Sequence, residues 1–373
     1  MKLGISGAGR IGRMCIRKWF GTAGASTDLV AVNATCDAAT LAHLLKYDSV
    51  HGTWDAEVRA EGNRLRINGK PVALLSDRDP ARLPWKELGV ELVIDATGRF
   101  GGKAAARLHL AAGARKTVLT YPAEGADATI VLGANDETYD PARHDVVSAA
   151  SCTTNCLAVV LRVLDDAFGV EEVWMTAVHA YTGDQRHLDN PHADLRRARA
   201  CAGSIVPTTT GVSRALKDVL PHLAPRAGGI SVRVPTPDVS LVDAVVTLRR
   251  PVTGEEARDA FRRAAEGPAG AYLGYNELPL VSADYIGNEK SATVDGLSLM
   301  ARGERLKILA WYDNEWAYAC RVIELAERIA RGEAFMGREP HGGKTDAGRR
   351  GTAAGAAAGN PGRSGGRGRA GCA

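Results

Sequence analysis

Thiols and imidazoles are the side chains from which nucleophilic chemistry at neutral pH is most readily built. Cys152 stands in the string Ser151-Cys152-Thr153-Thr154-Asn155-Cys156, between the short apolar run Val146–Ala149 and a long apolar helical pattern. That position puts Cys152 at a helix N-terminus, where unpaired amides and the macrodipole favour a thiolate. Cys156 follows four residues later and turns toward the core. The spacing is not that of a metal pair and no second pair exists, so no zinc or other metal is expected. A thiol nucleophile also needs a proton acceptor. Val173, Met175, Ala177 and His179 fall on one face of a strand, and His179 ends that apolar series where a polar group can reach a cavity. The pair would exchange a proton if the fold brings them together; a histidine in a strand can equally be structural.

A second chemical signal lies at the start of the chain. Gly7-Ala8-Gly9-Arg10-Ile11-Gly12 follows an apolar run, Lys2–Ser6, and opens a helical pattern. In that context Gly7 permits a tight turn, Gly9 lets the backbone approach a pyrophosphate, and Gly12 lets helix and strand pack closely. Amides of Arg10 and Ile11 then face the phosphates. The second strand of such a unit usually ends in an acid that holds the adenosine ribose 2′-hydroxyl. Here Leu29–Asn33 is followed by Ala34. No carboxylate is left to repel a 2′-phosphate, and Thr35 can donate to one, so NADP becomes acceptable beside NAD.

These residues need elements to hold them. Over residues 1–150, strands at Lys2–Ser6, Leu29–Asn33, Leu92–Ala96, Thr117–Thr120, Ile130–Leu132 and Val146–Ala149 alternate with helices at Arg10–Phe20, Ala38–Lys46 and Lys103–Ala112. Arg64–Asn68 and Val72–Leu75 flank Asn68-Gly69, a hairpin signal. The alternation implies an α/β fold, a doubly wound, mostly parallel sheet. Over 151–314 the strands become longer and more alternating, at Glu172–Ala180, Ile230–Val234, Val239–Arg249 and Lys307–Tyr312. A mixed or antiparallel sheet in an α+β catalytic domain is expected there, with helices at Thr154–Phe168, Thr210–Val219 and Thr253–Ala265 on one face. A last helix, Glu315–Arg331, would complete the first domain. Tyr181–Ala202 is polar, Arg-rich and long for a plain connection, which marks it as functional.

Composition narrows the class. The chain has 373 residues, 45% hydrophobic and 24% charged, near the average for globular proteins. Its net charge is +4, and residues 337–373, with six Arg and Lys344 against Glu339 and Asp346, carry more than all of it. The rest is nearly neutral, which speaks against a nucleic-acid binder. Twelve of those last 37 residues are Gly, and no apolar periodicity runs through them, so a disordered tail is expected. Seven scattered Cys suit a reducing compartment, no apolar run approaches a membrane span, and the N-terminus lacks a signal-peptide layout; a cytoplasmic protein is expected.

Eight strings taken together resemble phosphorylating glyceraldehyde-3-phosphate dehydrogenases: GAGRIGR (7–13), HLLKYDSVHG (43–52), SAASCTTNC (148–156), HAYTGDQ (179–185), DLRRARA (194–200), PTTTG (207–211), RVPTPDVSLVD (233–243) and WYDNEWAY (311–318). The resemblance covers Lys2 to about Arg331. It implies that Cys152 attacks the aldehyde carbon of D-glyceraldehyde 3-phosphate, that His179 is the base, and that a thioester forms and is cleaved by inorganic phosphate to 1,3-bisphosphoglycerate. It assigns Thr182 and Arg233 to the substrate phosphate. Ser151, Thr153, Thr210 and Gly211, with Arg197 nearby, are assigned to the attacking phosphate. Arg10, Ile11, Arg78, Thr97 and Thr120 match cofactor contacts; Asn314 matches the group that holds the nicotinamide amide, and Tyr318 would back the ring. A homotetramer is implied, with Tyr181–Ala202 packing across a subunit interface. Ala34, where common NAD-linked members have Asp, and Asn190, where they usually have Leu before the Pro, look like the bacterial NADP-preferring, gluconeogenic branch. Gly183 replaces a frequent Asn, without expected loss of activity. Two other functions stay open at this point: erythrose-4-phosphate dehydrogenase, and a non-catalytic redox-sensing or RNA-binding role using Cys152 or the basic tail.

Overall fold

The computed structural model describes residues 1–98 and 101–332. The expected tail at 337–373 lies outside the described residues.

The first sheet has nine strands: β1 (Lys2–Ser6), β2 (Asp28–Asn33), β3 (Val58–Glu61), β4 (Arg64–Ile67), β5 (Lys70–Leu75), β6 (Leu92–Asp95), β7 (Lys116–Leu119), β8 (Ala128–Thr129) and β9 (Val146–Ser148). Their order is β8-β9-β7-β6-β1-β2-β5-β4-β3. The pairs from β8 to β5 are parallel and the last two antiparallel. Between β4 and β5, Asn68 and Gly69 both take positive φ (47° and 79°), which matches the twist of a two-residue hairpin. Helices α1 (Arg10–Gly21), α2 (Ala38–Lys46) and α3 (Gly102–Ala111) provide the crossovers.

The expected strand at Ile130–Leu132 is corrected to Ala128–Thr129. The Ile130 amide still bonds Ser148 at 2.8 Å, but Val131 turns its amide to the Asn135 side chain at 2.8 Å. Gly133 then takes φ +88° and the chain leaves the sheet. The three apolar residues are buried as a turn, and apolarity alone cannot tell the two apart.

The second sheet is mixed. Its strands are β10 (Val170–Ala180), β11 (Val206–Thr208), β12 (Ala227–Val234), β13 (Ser240–Leu248), β14 (Leu273–Asn276), β15 (Ala292–Asp295), β16 (Met300–Arg302) and β17 (Arg305–Tyr312). They run β11-β12-β10-β13-β17-β15-β14, with β16 beside β17. The long strands β10 and β12 pair parallel, β10 and β13 antiparallel. One face is covered by α4 (Cys152–Phe168), with α5 (Val212–Val219) and α6 (Gly254–Glu266) beside it. Alternation along β10 explains this: Val173, Met175, Ala177 and His179 point inward, while Trp174 is exposed. The last helix, α7 (Trp316–Arg331), returns to pack on α1. No described helix is long and apolar enough to cross a membrane.

Candidate active site

The junction of the two sheets is built by a sharp change of direction. Strand β9 ends at Ser148; Ala150 then takes φ +57°, a conformation non-glycine residues rarely adopt. Two side chains hold that turn. Ser151 caps α4 by accepting the Thr154 amide at 3.1 Å, and Asn155 donates to the carbonyls of Ala149 and Ser151, both at 2.9 Å. Cys152 is thereby the first residue of α4.

Its sulfur lies 3.5 Å from His179 Nε2. The other ring nitrogen, Nδ1, is 2.7 Å from the Ala180 carbonyl, which can only accept. Nδ1 therefore carries the hydrogen, and Nε2 presents a lone pair to the thiol. Against the expected pull of the helix end, burial pushes the Cys152 thiol up, opposed by the Thr153 hydroxyl, the charge of Arg233 and the Thr153 amide. Burial, reinforced by Arg233, lowers His179 to about 4. Burial thus favours the neutral form of each group, and their 3.5 Å contact suits proton transfer.

Beside the pair sits a cluster of cations and hydroxyls. Arg233, on β12 opposite His179, donates to Thr182 Oγ1 at 2.6 Å. Its Nε is buried with no hydrogen-bond partner. Arg197 donates to Thr208 Oγ1 at 3.0 Å and to Asp184 Oδ2 at 2.6 Å. Asp184, which sequence reasoning missed, also accepts from Thr182. Burial raises the Asp184 carboxyl, but Thr182, Arg233 and Arg197 outweigh it and hold it below the usual range. Arg233 and Arg197 are thus not stray surface charges; two guanidinium groups sharing Asp184, one with an unpartnered Nε, suit a phosphate. Thr210 accepts the Val212 amide at 3.3 Å at the start of α5, and Gly211 is exposed beside it. Thr153 departs from the expected pattern: its hydroxyl is buried 2.9 Å from Tyr312 and 4.0 Å from the Cys152 sulfur.

A cleft of about 640 Å³ opens along the C-terminal edge of β1 and β2. Gly7, Gly9, Ala34, Thr35, Arg78 and Thr97 line it. The glycines behave as their spacing requires. Gly7 has φ +100°, and a Cβ there would lie 2.6 Å from Ala96; a Cβ on Gly12 would lie 2.0 Å from the Gly7 carbonyl; one on Gly9 would meet open space. This is a cradle for a pyrophosphate, and the residues present fit a dinucleotide. Arg78 forms no ion pair among the described residues and shares the cleft wall with Ala34. Arg10 differs from expectation in part. Its guanidinium turns away to Asp48 and Glu315, so only its amide remains for the cradle. Thr120 hydrogen bonds the Asp95 carbonyl, and Thr97 the Asp95 carboxylate. Outside the lining of this cleft, Asn314 Oδ1 accepts the Ser240 hydroxyl at 2.6 Å, which leaves its amide hydrogens free to donate. Tyr318 is buried and donates to the Ala150 carbonyl at 3.0 Å, directly behind the nucleophile's turn. Asn190 is exposed and lines no part of this cleft.

Residues 1–103 match the model of the glyceraldehyde 3-phosphate dehydrogenase NAD binding domain, and residues 151–314 that of the C-terminal domain. The chain belongs to the glyceraldehyde-3-phosphate dehydrogenase family. It is 52% identical over 331 residues to glyceraldehyde-3-phosphate dehydrogenase 2 of Bacillus subtilis, covering 88% of this chain and 97% of the relative. It is 51% identical to the Geobacillus stearothermophilus glyceraldehyde-3-phosphate dehydrogenase, covering 88% and 98%, and 49% identical to glyceraldehyde-3-phosphate dehydrogenase 2 of Streptomyces avermitilis, covering 87% and 97%. The span matched to the family's C-terminal domain begins at Ser151 and ends at Asn314. It therefore holds the thiol, the imidazole, both arginines and Asn314.

Proposed function

We propose that this chain catalyses the reversible, phosphorylating oxidation of D-glyceraldehyde 3-phosphate through a thioester on Cys152, accepting NADP in preference to NAD. The observation that carries this reading is the 3.5 Å approach of Cys152 Sγ to His179 Nε2, with Nδ1 tied to the Ala180 carbonyl. Relatives that bear the glyceraldehyde-3-phosphate dehydrogenase name over nearly their whole length support the substrate.

His179 takes the thiol proton as the sulfur attacks the aldehyde carbon, and the Cys152 amide at the start of α4 faces the developing oxyanion. Thr182 and Arg233 hold the substrate phosphate, and Arg197 with Ser151, Thr210 and Gly211 holds the attacking phosphate. Thr153 contributes from beside the sulfur. Gly7, Gly9, Gly12 and the amides of Arg10 and Ile11 hold the pyrophosphate; Thr97, Thr120, Asn314 and Tyr318 enclose the nicotinamide half. A bound nicotinamide supplies the hydride acceptor.

Cofactor preference rests on the adenosine end. Ala34 brings no carboxylate, Thr35 offers a hydroxyl, and Arg78, with no ion pair among the described residues, adds a cation to a wall whose Asp77 is paired with Arg82. Asn190 would join from a neighbouring subunit of a homotetramer. Exposed Leu188 and Leu195 on the 181–202 segment, and exposed Trp174 opposite Val245 on the sheet's outer face, suit such burial. The six described cysteines are unpaired, which suits a reducing cytoplasm.

The test combines two readouts on the full chain. The kcat/KM ratio for NADP over NAD is measured with D-glyceraldehyde 3-phosphate and phosphate, and acid-quenched enzyme is searched for an acyl group on Cys152 by mass spectrometry. A ratio above one and an acyl-Cys152 peptide are expected. A strong NAD preference sinks the cofactor reading; an unmodified Cys152 during turnover sinks the thioester.

A further inference from the structure

Three segments that the proposed reaction leaves without a role meet at one point. The loop after α2 brings His51, the β12–β13 connection brings Asp238, and the turn before α7 brings Glu315. His51 Nε2 lies 3.5 Å from Asp238 Oδ2 and 3.2 Å from Glu315 Oε2. One donor atom from each of the three falls within 4.8 Å of the others. Little water reaches them: the side chains are 6%, 0% and 13% exposed, in chain order. The residues stand far apart in sequence and include no cysteine. Thiol spacing, from which no metal was expected, therefore says nothing about them.

Two of the three are fixed from outside the group. Asp48 Oδ1 accepts the amides of Val50 at 2.9 Å and His51 at 3.0 Å, which folds the loop that carries the imidazole. The ring of Trp316 flanks that imidazole, with 6.2 Å between centroids. Asp313 Oδ1 accepts the amides of Glu315 and Trp316 at 2.9 and 2.7 Å, which sets the turn. Arg10 then donates to Asp48 and to Glu315, with Nε 2.8 Å from Oε1.

Asp238 has no such support. Neither of its oxygens has a hydrogen-bond partner. Among the described residues, His51 is the only basic side chain within salt-bridge distance of it, because Arg10 is taken by Asp48 and Glu315. A carboxylate stripped of water is stable only when it is paired or bound to a cation. This one is aimed at an imidazole nitrogen beside a second carboxylate, a donor set that metal sites use.

We propose that His51 Nε2, Asp238 Oδ2 and Glu315 Oε2 bind a divalent transition-metal ion of the zinc class, which ties the loop, the connection and the turn together. The spacing suits it: with bonds of about 2.0–2.1 Å, ligand atoms around four-coordinate zinc stand about 3.3 Å apart. An imidazole among the ligands favours zinc over magnesium or calcium, which take oxygen ligands. Asp238 Oδ1, equally unpartnered, is available for the fourth position. Arg10 holds Glu315 through both oxygens, so it keeps Oε1, and its pairing with Asp48, when Oε2 turns to the ion. The site shares no residue with the thiol–imidazole pair or with the phosphate-binding groups, and it does not depend on the proposed reaction.

The test uses the full-length chain carrying Cys152→Ser, because a thiol beside an imidazole is itself a set of zinc ligands. This parent is stripped with a chelator, exchanged free of it, and titrated with zinc chloride at neutral pH by calorimetry and against a fluorescent zinc indicator. One ion per chain is expected. Adding D238N or H51Q should each weaken it by about tenfold or more, since a ligand is lost from a closed site. D238N keeps the shape and removes a buried charge, so it should fold; H51Q decides if it does not. At zinc about a hundredfold above Kd, the Tm of the parent should rise by about 4 °C, and that of D238N should not follow. X-ray absorption at the zinc edge of the loaded parent should show only nitrogen and oxygen neighbours, at about 2.0–2.1 Å. No saturable binding by the parent overturns the proposal. So does an affinity unchanged in either variant, or a sulfur neighbour at about 2.3 Å.

Discussion

The thiol–imidazole site and the glycine-lined cleft are built on opposite principles. At the thiol every group is gripped: Ser151 and Asn155 fix the turn, Ala180 fixes the imidazole tautomer, Tyr318 closes the back, and the imidazole is buried beside a half-buried cysteine. At the cleft the wall beside Ala34 is short side chains together with Asp77 and Arg78, which forms no ion pair among the described residues, around an open space of about 640 Å³. The tight hold on the first suits proton transfer, which tolerates little misplacement. On the proposed function, a carboxylate added at the loosely held cleft changes which dinucleotide is welcome without disturbing the chemistry. Reaction type and cofactor preference are then separable.

That separation can be broken most severely at Cys152. Replacing the thiol by the serine hydroxyl in Cys152→Ser should cost at least roughly 10³-fold in kcat, since a neutral hydroxyl is a far poorer nucleophile. Stopped-flow of the first turnover measures it, with circular dichroism confirming an intact fold. Next comes His179→Ala, for which loss of the proton acceptor should lower kcat by about 10²–10⁴-fold with little change in cofactor affinity. A large rise in cofactor KM in that variant would blur the division between the two sites. A smaller effect is expected at the cleft. Ala34→Asp places a carboxylate beside the expected 2′-phosphate, and the NADP/NAD ratio of kcat/KM should fall by about 5- to 100-fold with kcat for NAD preserved. A ratio that does not move would show that Arg78 and Thr35 do not read the ribose. The mildest test is the acid limb of kcat/KM. His179, lowered to about 4 by burial and Arg233, stays unprotonated and able to accept the thiol proton well below pH 6. Activity should fall near pH 4–5, after correction for acid unfolding; a limb centred at 6.5 would mean a water-exposed imidazole.

Sequence patterns were informative in proportion to how local their cause is. The strand–Gly7-x-Gly9–helix unit and the Asn68-Gly69 hairpin read correctly because φ and close backbone approach are imposed within a few residues. Ile130–Leu132 misled because apolarity reports burial, and a turn closed by Asn135 is buried as well as a strand. Asp184 and Ser240 were missed for a related reason. Each is an ordinary polar residue in a loop or strand end, and each acquires meaning from a partner the fold brings to it, Arg197 thirteen residues on and Asn314 seventy-four.

Residue order alone settled that this chain would form a dinucleotide cradle, place a cysteine at the start of a buried helix and end an inward-facing strand series in histidine. Those are consequences of glycine sterics, capping and two-residue alternation, all short-range. Tertiary structure decided the rest. Only the packing of α4 against β10 sets sulfur and imidazole 3.5 Å apart. Only the depth of that packing, by stripping water from both groups, pushes the thiol up and the imidazole down, against the pull of the helix end. Desolvation is a property of the whole surrounding volume, and no window of sequence contains it.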